Sequence, residues 1–154
     1  MLPNRPNLLA VRKLQESGLR PTRQRVALAR LLLQNGHRHV TAEELFQEAR
    51  AAGIPVSLAT VYNTLHQFTA AGLMAEVVAG SGQSYFDTNP TSHYHYFDKS
   101  TGEIIDVPEE AIQFLRLPEP PPGKVIDRID VVVRIRSVAA RTAARSPAVA
   151  AEDS

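Results

Sequence analysis

The sequence predicts an α+β protein with a helical first half and a strand-rich second half. Apolar residues recur at helical spacing up to about residue 72, and after that point they fall in short runs typical of β-strands. With 154 residues and a hydrophobic share of 44%, the chain is long enough for two small domains and apolar enough to build a core. The length excludes a large catalytic barrel.

Three helices are predicted in the first half. Thr22 and Thr41 are suited to cap the first two, and Glu44 completes a capping box with Thr41. A glycine follows each helix and marks its end. The three helices are expected over about residues 22–35, 41–52 and 57–71. An amphipathic turn or two, at about residues 7–17, is expected to precede them.

A β-hairpin is predicted directly after the helices. Residues 73–78 and 84–88 are short β-like runs, and the glycine-containing segment between them is expected to form a flexible tip. Three helices followed by a hairpin is the order of a winged helix, whose second helix of the helix-turn-helix pair enters the DNA major groove. The first half is therefore predicted to be a helix-turn-helix with a β-hairpin wing.

The charge is distributed unevenly along the chain, although the net charge is only +1. Residues 1–36 carry seven Lys and Arg side chains against one Glu, whereas the remainder has a net charge of −5. A basic front favours an anionic partner such as DNA, and Arg20 and Arg23 are among the side chains expected to neutralise phosphates. The alternative is a solvated basic helix face.

The outer face of the third helix is predicted to be polar and uncharged. At about 100° per residue, Thr60, Asn63 and Gln67 lie opposite the apolar stripe, where Asn and Gln can bond base edges. The alternative is that all three simply face solvent. Tyr62 lies at the shoulder of this helix, where it is expected either to contact a phosphate or base edge or to fill a gap between helices.

The second half is predicted to contain three strands and a short helix. The strands are expected at 93–97, 103–107 and 129–136, the last with its alternate residues from Ile129 to Ile135 on one face. A helix is expected to begin at Pro108 and to continue through about residue 115. Because so small a β-rich half buries little surface, pairing of the last strand with a second copy of the chain is attractive.

Histidines and aspartates form a candidate metal site. Four of the five histidines lie in two clusters, at 37–39 and 93–95. Alternation places His93 and His95 on one side of a strand, and hairpin partners can bring Asp87 and Asp106 towards them. The absence of cysteine excludes thiolate zinc sites, and a nitrogen and oxygen donor set suits zinc, iron(II) or manganese(II). The alternative is a set of ordinary strand, turn and loop residues.

The chain resembles the ferric uptake regulator family of metal-responsive bacterial repressors over about residues 8–136. The segments that carry the resemblance are Gly18–Arg25, His39–Leu45, Leu58–Leu65 and the block from His93 to Asp106. The second half is similar to the iron response regulator branch of this family, which senses haem status.

The resemblance implies a homodimer that binds an AT-rich inverted repeat in double-stranded DNA. The expected parts are a winged-helix DNA-binding domain (1–88), an α/β dimerisation and metal-sensing domain (89–136) and a flexible tail (137–154). The resemblance also places Tyr62 at the recognition-helix tyrosine and Arg20 at a basic residue that reaches the minor groove. The implied regulatory metal ligands are His39, Asp87, His93, His95 and Asp106.

The expected function is a metal- and haem-responsive transcription regulator of iron homeostasis. Haem is expected to compete with the metal-bound state, with His93 and His95 as candidate haem ligands. The sequence departs from the family pattern in two respects that bear on this expectation. The paired cysteines that hold structural zinc in many relatives are absent. Tyr94 interrupts the three consecutive histidines often found in the haem-sensing branch. The apolar run Leu8–Val11 is too short for a signal peptide or membrane span, which favours the cytoplasm and no membrane partner.

Two alternative functions stay open. A peroxide sensor of the same family holds iron(II) through aspartates at the positions of Asp87 and Asp106. A small metallohydrolase is the other alternative, but the usual His-x-His-x-Asp pattern is not met because Phe97 occupies the carboxylate position.

Overall fold

The computed structural model describes residues 5–80 and 82–139, without the side chains of residues 5 and 6. The described chain divides into an N-terminal unit, which extends to Thr91, and a C-terminal unit, which begins at Ser92. Each unit contains a three-stranded sheet of its own. The tail expected to be flexible lies outside the described residues from residue 140 onward.

The N-terminal unit has the element order of a winged helix, as the sequence predicts. Its helices are α1 (Arg5–Glu16), α2 (Arg23–Leu33), α3 (Ala42–Ala51) and α4 (Leu58–Ala70), and its strands are β1 (His39–Val40), β2 (Ala75–Ala79) and β3 (Gln83–Asp87). The sheet order is β1-β3-β2, and both outer strands are antiparallel to β3. Helices α3 and α4 are the predicted helix-turn-helix, and β2 and β3 form the wing.

Local sequence signals account for the helix ends. Thr22 and Ser57 each accept a hydrogen bond from the backbone N–H three residues later, and Thr41 forms the predicted capping box with Glu44. Gly53, with a φ of 73°, ends α3 in the left-handed region that glycine adopts at little cost. The chain thereby turns between α3 and α4.

Helix α1 is longer than the sequence predicts. It is a full helix of 12 residues, where only a turn or two is expected. Ala10 and Leu14, which lie one helical turn apart, are both fully buried. Packing of this narrow apolar face against α2 stabilises a helix that propensity alone leaves marginal.

All four helices contribute to one hydrophobic core that also includes the sheet residue Phe86. Phe68 of α4 and Phe86 of β3 are its largest fully buried side chains. Full burial of a Phe side chain contributes about 1.5–3 kcal/mol. The core therefore fixes the orientation of α4 and of the strand that ends at Asp87.

The C-terminal unit is built around a central strand. Its strands are β4 (Tyr94–Asp98), β5 (Ile104–Val107) and β6 (Val132–Ile135), with a 3₁₀ turn at Glu109–Ala111. Strand β4 pairs with β5 in antiparallel fashion and with β6 in parallel fashion. No helix among the described residues is both long and apolar enough to cross a bilayer.

Two predictions for this unit are wrong. The helix expected from Pro108 through residue 115 is only the 3₁₀ turn, because Leu115 is fully exposed, Phe114 makes only an edge contact with Tyr94, and so short a helix is marginal alone. The strand expected over 129–136 spans only Val132–Ile135, with Val133 and Ile135 on one face as alternation predicts. It pairs with β4 of the same chain, where Val132 lies opposite His95, and because it is an edge strand of the described sheet this pairing occupies one of its two sides.

Candidate functional site

The same structural device builds a histidine–aspartate pair in each unit. Residues directly opposite each other in an antiparallel pair have neighbouring side chains. The register of β1 and β3 places His39 opposite Asp87. The register of β4 and β5 places His95 opposite Asp106. The predicted metal ligands thus fall into two groups, one in each unit.

The N-terminal half-site consists of His39 and Asp87. The His39 Nε2 atom lies 3.1 Å from Asp87 Oδ2, and the side chains are 15% and 0% exposed. The other Asp87 oxygen, Oδ1, accepts a hydrogen bond of 2.8 Å from the backbone N–H of Asn89. A fully buried carboxylate is costly unless it is paired, so this half-site is suited to a cation.

The C-terminal half-site consists of His93, His95 and Asp106. The Nε2 atoms of His93 and His95 lie 3.3 Å and 3.7 Å from the same oxygen, Asp106 Oδ1. The two imidazole centroids are 4.5 Å apart, and the histidine side chains are nearly buried, whereas that of Asp106 is 41% exposed. These three ligand atoms lie within 4.8 Å of one another.

The donor set of each half-site fits a divalent cation of intermediate softness. Imidazole nitrogen and carboxylate oxygen are ligands that zinc, iron and manganese accept. The N-terminal half-site offers two such side chains and the C-terminal half-site three. Since zinc takes four ligands in structural sites, neither half-site alone completes a closed shell of protein ligands.

Arg38 and Glu48 connect the N-terminal half-site to the helix-turn-helix. The Arg38 guanidinium donates two hydrogen bonds to the Glu48 carboxylate of α3, at 2.6 Å and 3.0 Å. The Arg38 backbone N–H also donates to Thr88 Oγ1 at 2.8 Å, next to Asp87 in the chain. Sequence reasoning missed this connection because the two charged residues lie in different elements and share no local spacing pattern.

Helix α4 exposes part of the face predicted to contact DNA. Asn63 and Gln67 are exposed, whereas Val61, Thr64, Leu65 and Phe68 form its buried side. Thr60 is half-buried, and its hydroxyl lies 2.9 Å from that of the capping residue Ser57. The predicted polar face is therefore present, with Thr60 partly engaged at the helix start.

The Tyr62 hydroxyl is bonded to an acidic side chain. It donates to Glu43 Oε1 at 2.7 Å, and this hydrogen bond is the main reason that the pKa of Tyr62 lies above its usual value, with burial and the Glu43 charge adding to the effect. A tyrosine hydroxyl has a single proton, so in this arrangement it cannot also donate to a phosphate. The ring is partly buried against the core and lies beside the His66 ring, with centroids 6.4 Å apart, as the gap-filling alternative expects.

The basic residues near α2 form a small network. Arg20 and Arg23 are exposed, as a role in phosphate neutralisation requires. Arg25 donates from Nη2 and Nε to Gln67 Oε1, at 3.0 Å and 3.3 Å, and from Nη1 to the Arg20 carbonyl at 3.0 Å. Sequence reasoning counted Arg25 only as part of the basic segment, since nothing in its spacing relates it to Gln67.

The fold and these side chains define a winged-helix protein with candidate metal ligands in both of its units. The model of the ferric uptake regulator family matches residues 16–117. The chain belongs to the ferric uptake regulator family. The family and the α+β fold class predicted from the sequence are thereby confirmed, and the relatives that the chain resembles are regulators rather than enzymes.

Individual relatives agree with this assignment. The chain is 36% identical over 97 residues to the peroxide-responsive repressor PerR of Staphylococcus aureus, a match that spans 63% of this chain and 65%, just under two thirds, of that relative. The ferric uptake regulator of Pseudomonas aeruginosa with manganese is similar in structure, with a TM-score of 0.64, 28% identity and coverage of 84% of this chain and 98% of the other. The Vibrio cholerae ferric uptake regulator has a TM-score of 0.63 at 23% identity, with coverage of 82% and 98%.

Proposed function

We propose that this chain is a metal-responsive, DNA-binding transcription regulator that acts as a homodimer. The observation that carries the proposal is a histidine–aspartate pair in each unit, one on the winged helix and one on the unit that follows it. Family membership and the manganese-containing relative support a divalent metal as the effector. The cytoplasm is the location we propose, because that is where a bacterial DNA-binding regulator meets its operator.

We propose further that the two half-sites bind one ion together. Two ligands from one unit and three from the other make a set of five nitrogen and oxygen donors, enough to enclose a divalent ion. A divalent ion held by these residues would supply positive charge that neutralises the buried Asp87 carboxylate. Sharing the ligands restricts the orientations available to the winged helix within the dimer.

The N-terminal half-site is well placed to transmit this restriction to DNA. His39 is adjacent to Arg38, which holds α3, and it lies two residues before Thr41, which caps α3. Helix α3 in turn contacts the recognition helix α4 through Glu43 and Tyr62. Because DNA fixes the spacing of its two half-sites, it binds best to the dimer conformation that presents the two recognition helices at that spacing.

The dimer is supported by apolar side chains on the C-terminal unit. Those that remain exposed include Leu115, Val125, Ile126, Ile105 and Val133. A second copy that covers them generates a two-fold axis, which matches the inverted repeat expected of the operator.

Binding-site selection from randomised DNA tests the proposed function. The full chain is loaded with manganese(II) or zinc(II), or treated with a chelator, and the selected sequences are compared. We expect the metal-loaded protein to select an AT-rich inverted repeat that it binds at least tenfold more tightly than the chelated protein does. The Arg20→Ala variant is expected to weaken binding and to reduce the slope of log affinity against log salt by about 1. Equal DNA binding with metal and with chelator would contradict the proposal.

A peroxide-sensing role is a second candidate, favoured by the 36% identity to a peroxide-responsive repressor and by carboxylates in both half-sites. In this case iron(II) held by Asp87 and Asp106 reacts with peroxide, and a histidine ligand gains oxygen. Mass spectrometry of iron-loaded protein after peroxide treatment tests this, with manganese-loaded protein as the control. Absence of added oxygen on His39, His93 and His95 would eliminate the role.

Haem sensing is a further proposal, tied to the expected role in iron homeostasis. With imidazole centroids 4.5 Å apart, His93 and His95 leave no room for a porphyrin plane between them, so at most one of them can ligate a given haem iron in this arrangement. An absorbance titration with haem tests the proposal. Loss of the haem spectrum in His93→Ala or His95→Ala is the expected result, and an unchanged spectrum in both variants would contradict it.

A further inference from the structure

The Arg25 guanidinium fixes the orientation of the Gln67 side-chain amide. A guanidinium carries only hydrogen-bond donors, and of the two polar atoms of an amide only the oxygen accepts. Gln67 Oε1 receives two of the Arg25 donors, at 3.0 Å and 3.3 Å. The amide therefore cannot reverse without losing both hydrogen bonds and placing its NH₂ group against a cation.

The Arg25 side chain is itself held on a second side. Its Nη1 atom donates to the Arg20 carbonyl at 3.0 Å, and the residue is half-buried at the start of α2. The Arg25 guanidinium is thus bonded both to the segment that carries Arg20 and to the recognition helix α4. Rotation of the guanidinium away from Gln67 costs the bond to Arg20 as well.

The exposed end of Gln67 consequently presents donors. Gln67 lies on the solvent-facing side of α4, and its Nε2 atom has no hydrogen-bond partner in the part of the chain that the structure describes. An unconstrained Gln reads adenine by accepting from N6 and donating to N7. With Oε1 turned towards Arg25, this two-point contact is lost and only donation remains.

We propose that Arg25 is a positioning residue that makes Gln67 a donor-only reader of base edges. In the major groove, guanine O6 and thymine O4 are acceptors, whereas cytosine N4 and adenine N6 are donors. Adenine and guanine also present the N7 acceptor, so a donor-only Gln67 favours guanine, which offers two acceptors, and disfavours cytosine, which offers none. This inference rests on the proposed function, since it requires that α4 enters the major groove.

Three variants separate this role from a structural one. Gln67→Glu keeps an acceptor for Arg25 and removes the amide donors, so the preference is expected to change from guanine to cytosine, whose N4 amino group donates. Arg25→Lys keeps the charge and removes the paired guanidinium donors, so the amide can turn and make its two-point contact with adenine N6 and N7. Gln47→Glu adds the same negative charge on an exposed position of α3 and is the matched control.

The measurement is the base preference at every operator position, determined with metal-loaded full-length protein at one salt concentration. At one position in each half of the repeat, we expect the preference for guanine over adenine to fall about fivefold or more in Arg25→Lys and cytosine to become the preferred base in Gln67→Glu, with other positions unchanged. Gln47→Glu is expected to alter affinity equally for all sequences.

The outcomes distinguish this inference from the proposed function. If the wild-type protein selects no DNA sequence, the proposed function fails and this inference fails with it. If the wild-type protein selects an operator but Gln67→Glu keeps the same preference at every position, only this inference is overturned. Arg25→Lys weakening all sequences equally would likewise overturn it, since that is the result expected of a purely structural contact.

Discussion

The two units of the chain differ in how completely they bury their apolar residues. The N-terminal unit packs four helices around one core, with Phe68 and Phe86 fully enclosed. The C-terminal unit leaves Leu115 and Val125 exposed, at 102% and 86% of their reference surface. The N-terminal unit exposes Leu8, Leu9 and Val78 to a lesser degree, so the C-terminal unit is where we propose that a second copy binds.

The two half-sites also differ in burial, and the one in the N-terminal unit is the more buried. Both arise from a histidine opposite an aspartate, yet Asp87 has no exposed side-chain surface while Asp106 is 41% exposed. The buried carboxylate lies on a strand fixed by the core, and the exposed one lies on a strand at the sheet edge. The rigid half-site belongs to the DNA-binding unit, and the open one belongs to the unit that offers a surface to a partner.

Removal of a core aromatic tests the difference in burial between the two units and has the largest expected effect. Phe68→Ala is expected to lower the free energy of unfolding by about 3–5 kcal/mol, because it leaves a cavity in the enclosed core. Phe114→Ala, in the C-terminal unit, is expected to cost much less since its side chain is exposed. Urea denaturation followed by circular dichroism measures both, and equal losses would contradict the difference between the units.

A charge introduced on the exposed apolar surface of the C-terminal unit tests whether that surface forms the dimer contact. Leu115→Asp is expected to weaken the dimer at least tenfold, because an interface residue then has to bury a carboxylate. Folding of the single chain is expected to change little, within about 0.5 kcal/mol, as is usual at an exposed position. Sedimentation velocity over a range of concentrations measures the dimer.

The matched control is Leu8→Asp, at an exposed position of α1 in the N-terminal unit. This substitution adds the same charge to the N-terminal unit, outside the proposed dimer surface, so we expect no change in association. Dissociation of both variants to the same extent would show that the exposed surface of the C-terminal unit is not the dimer contact.

The Arg38–Glu48 pair tests how firmly the N-terminal half-site is attached to α3. The pair is bidentate but partly exposed, with side chains 22% and 38% accessible. A double-mutant cycle with Arg38→Met and Glu48→Gln is expected to give a coupling energy of about 0.5–1 kcal/mol in urea denaturation. A coupling energy indistinguishable from zero would indicate that β1 and α3 are held together by the core alone.

The Tyr62–Glu43 hydrogen bond has the smallest expected effect. Because the folded-state pKa of Tyr62 is raised, the stabilisation is present below the pKa of an unfolded tyrosine, about 10, and is lost as the pH rises through the higher folded value. Tyr62→Phe is expected to remove this pH dependence and, at neutral pH, to lose the same small stabilisation. An ultraviolet absorbance titration of the tyrosines, compared with that of Glu43→Gln, measures the shift. A Tyr62 that titrates identically in Glu43→Gln would show that Glu43 does not cause the shift.

Sequence patterns predicted the N-terminal unit well because its signals are local. The caps at Thr22 and Thr41 and the glycine after each helix lie within one turn of the ends that they define. The C-terminal unit depends on contacts between residues far apart in the chain, so local helix signals were a poor guide to its structure. Pro108 and the acidic residues after it favour a helix, but the apolar side chains that follow stay largely exposed. The parallel pairing of β6 with β4 joins residues far apart in the chain.

The candidate site also has parts that local sequence patterns predict and parts that they do not. Residue type and alternation identified all five predicted metal ligands as candidates, and the sheet registers account for two of the histidine–aspartate pairs. The partners of Tyr62 and Gln67 were not predictable, since Glu43 and Arg25 reach them from other helices. Such contacts follow from packing of helices and leave no spacing pattern in the sequence.

The central claim is that one metal ion is held by both units. Its most direct test is the manganese(II) stoichiometry and affinity of the full chain and of the variants His39→Ala and His93→Ala, with His66→Ala, outside both half-sites, as the control. We expect one ion per chain in the wild-type and control proteins, and a loss of at least tenfold in affinity for that ion in each half-site variant. Two ions per chain in the wild-type protein, with each variant losing only one of them, would contradict the claim.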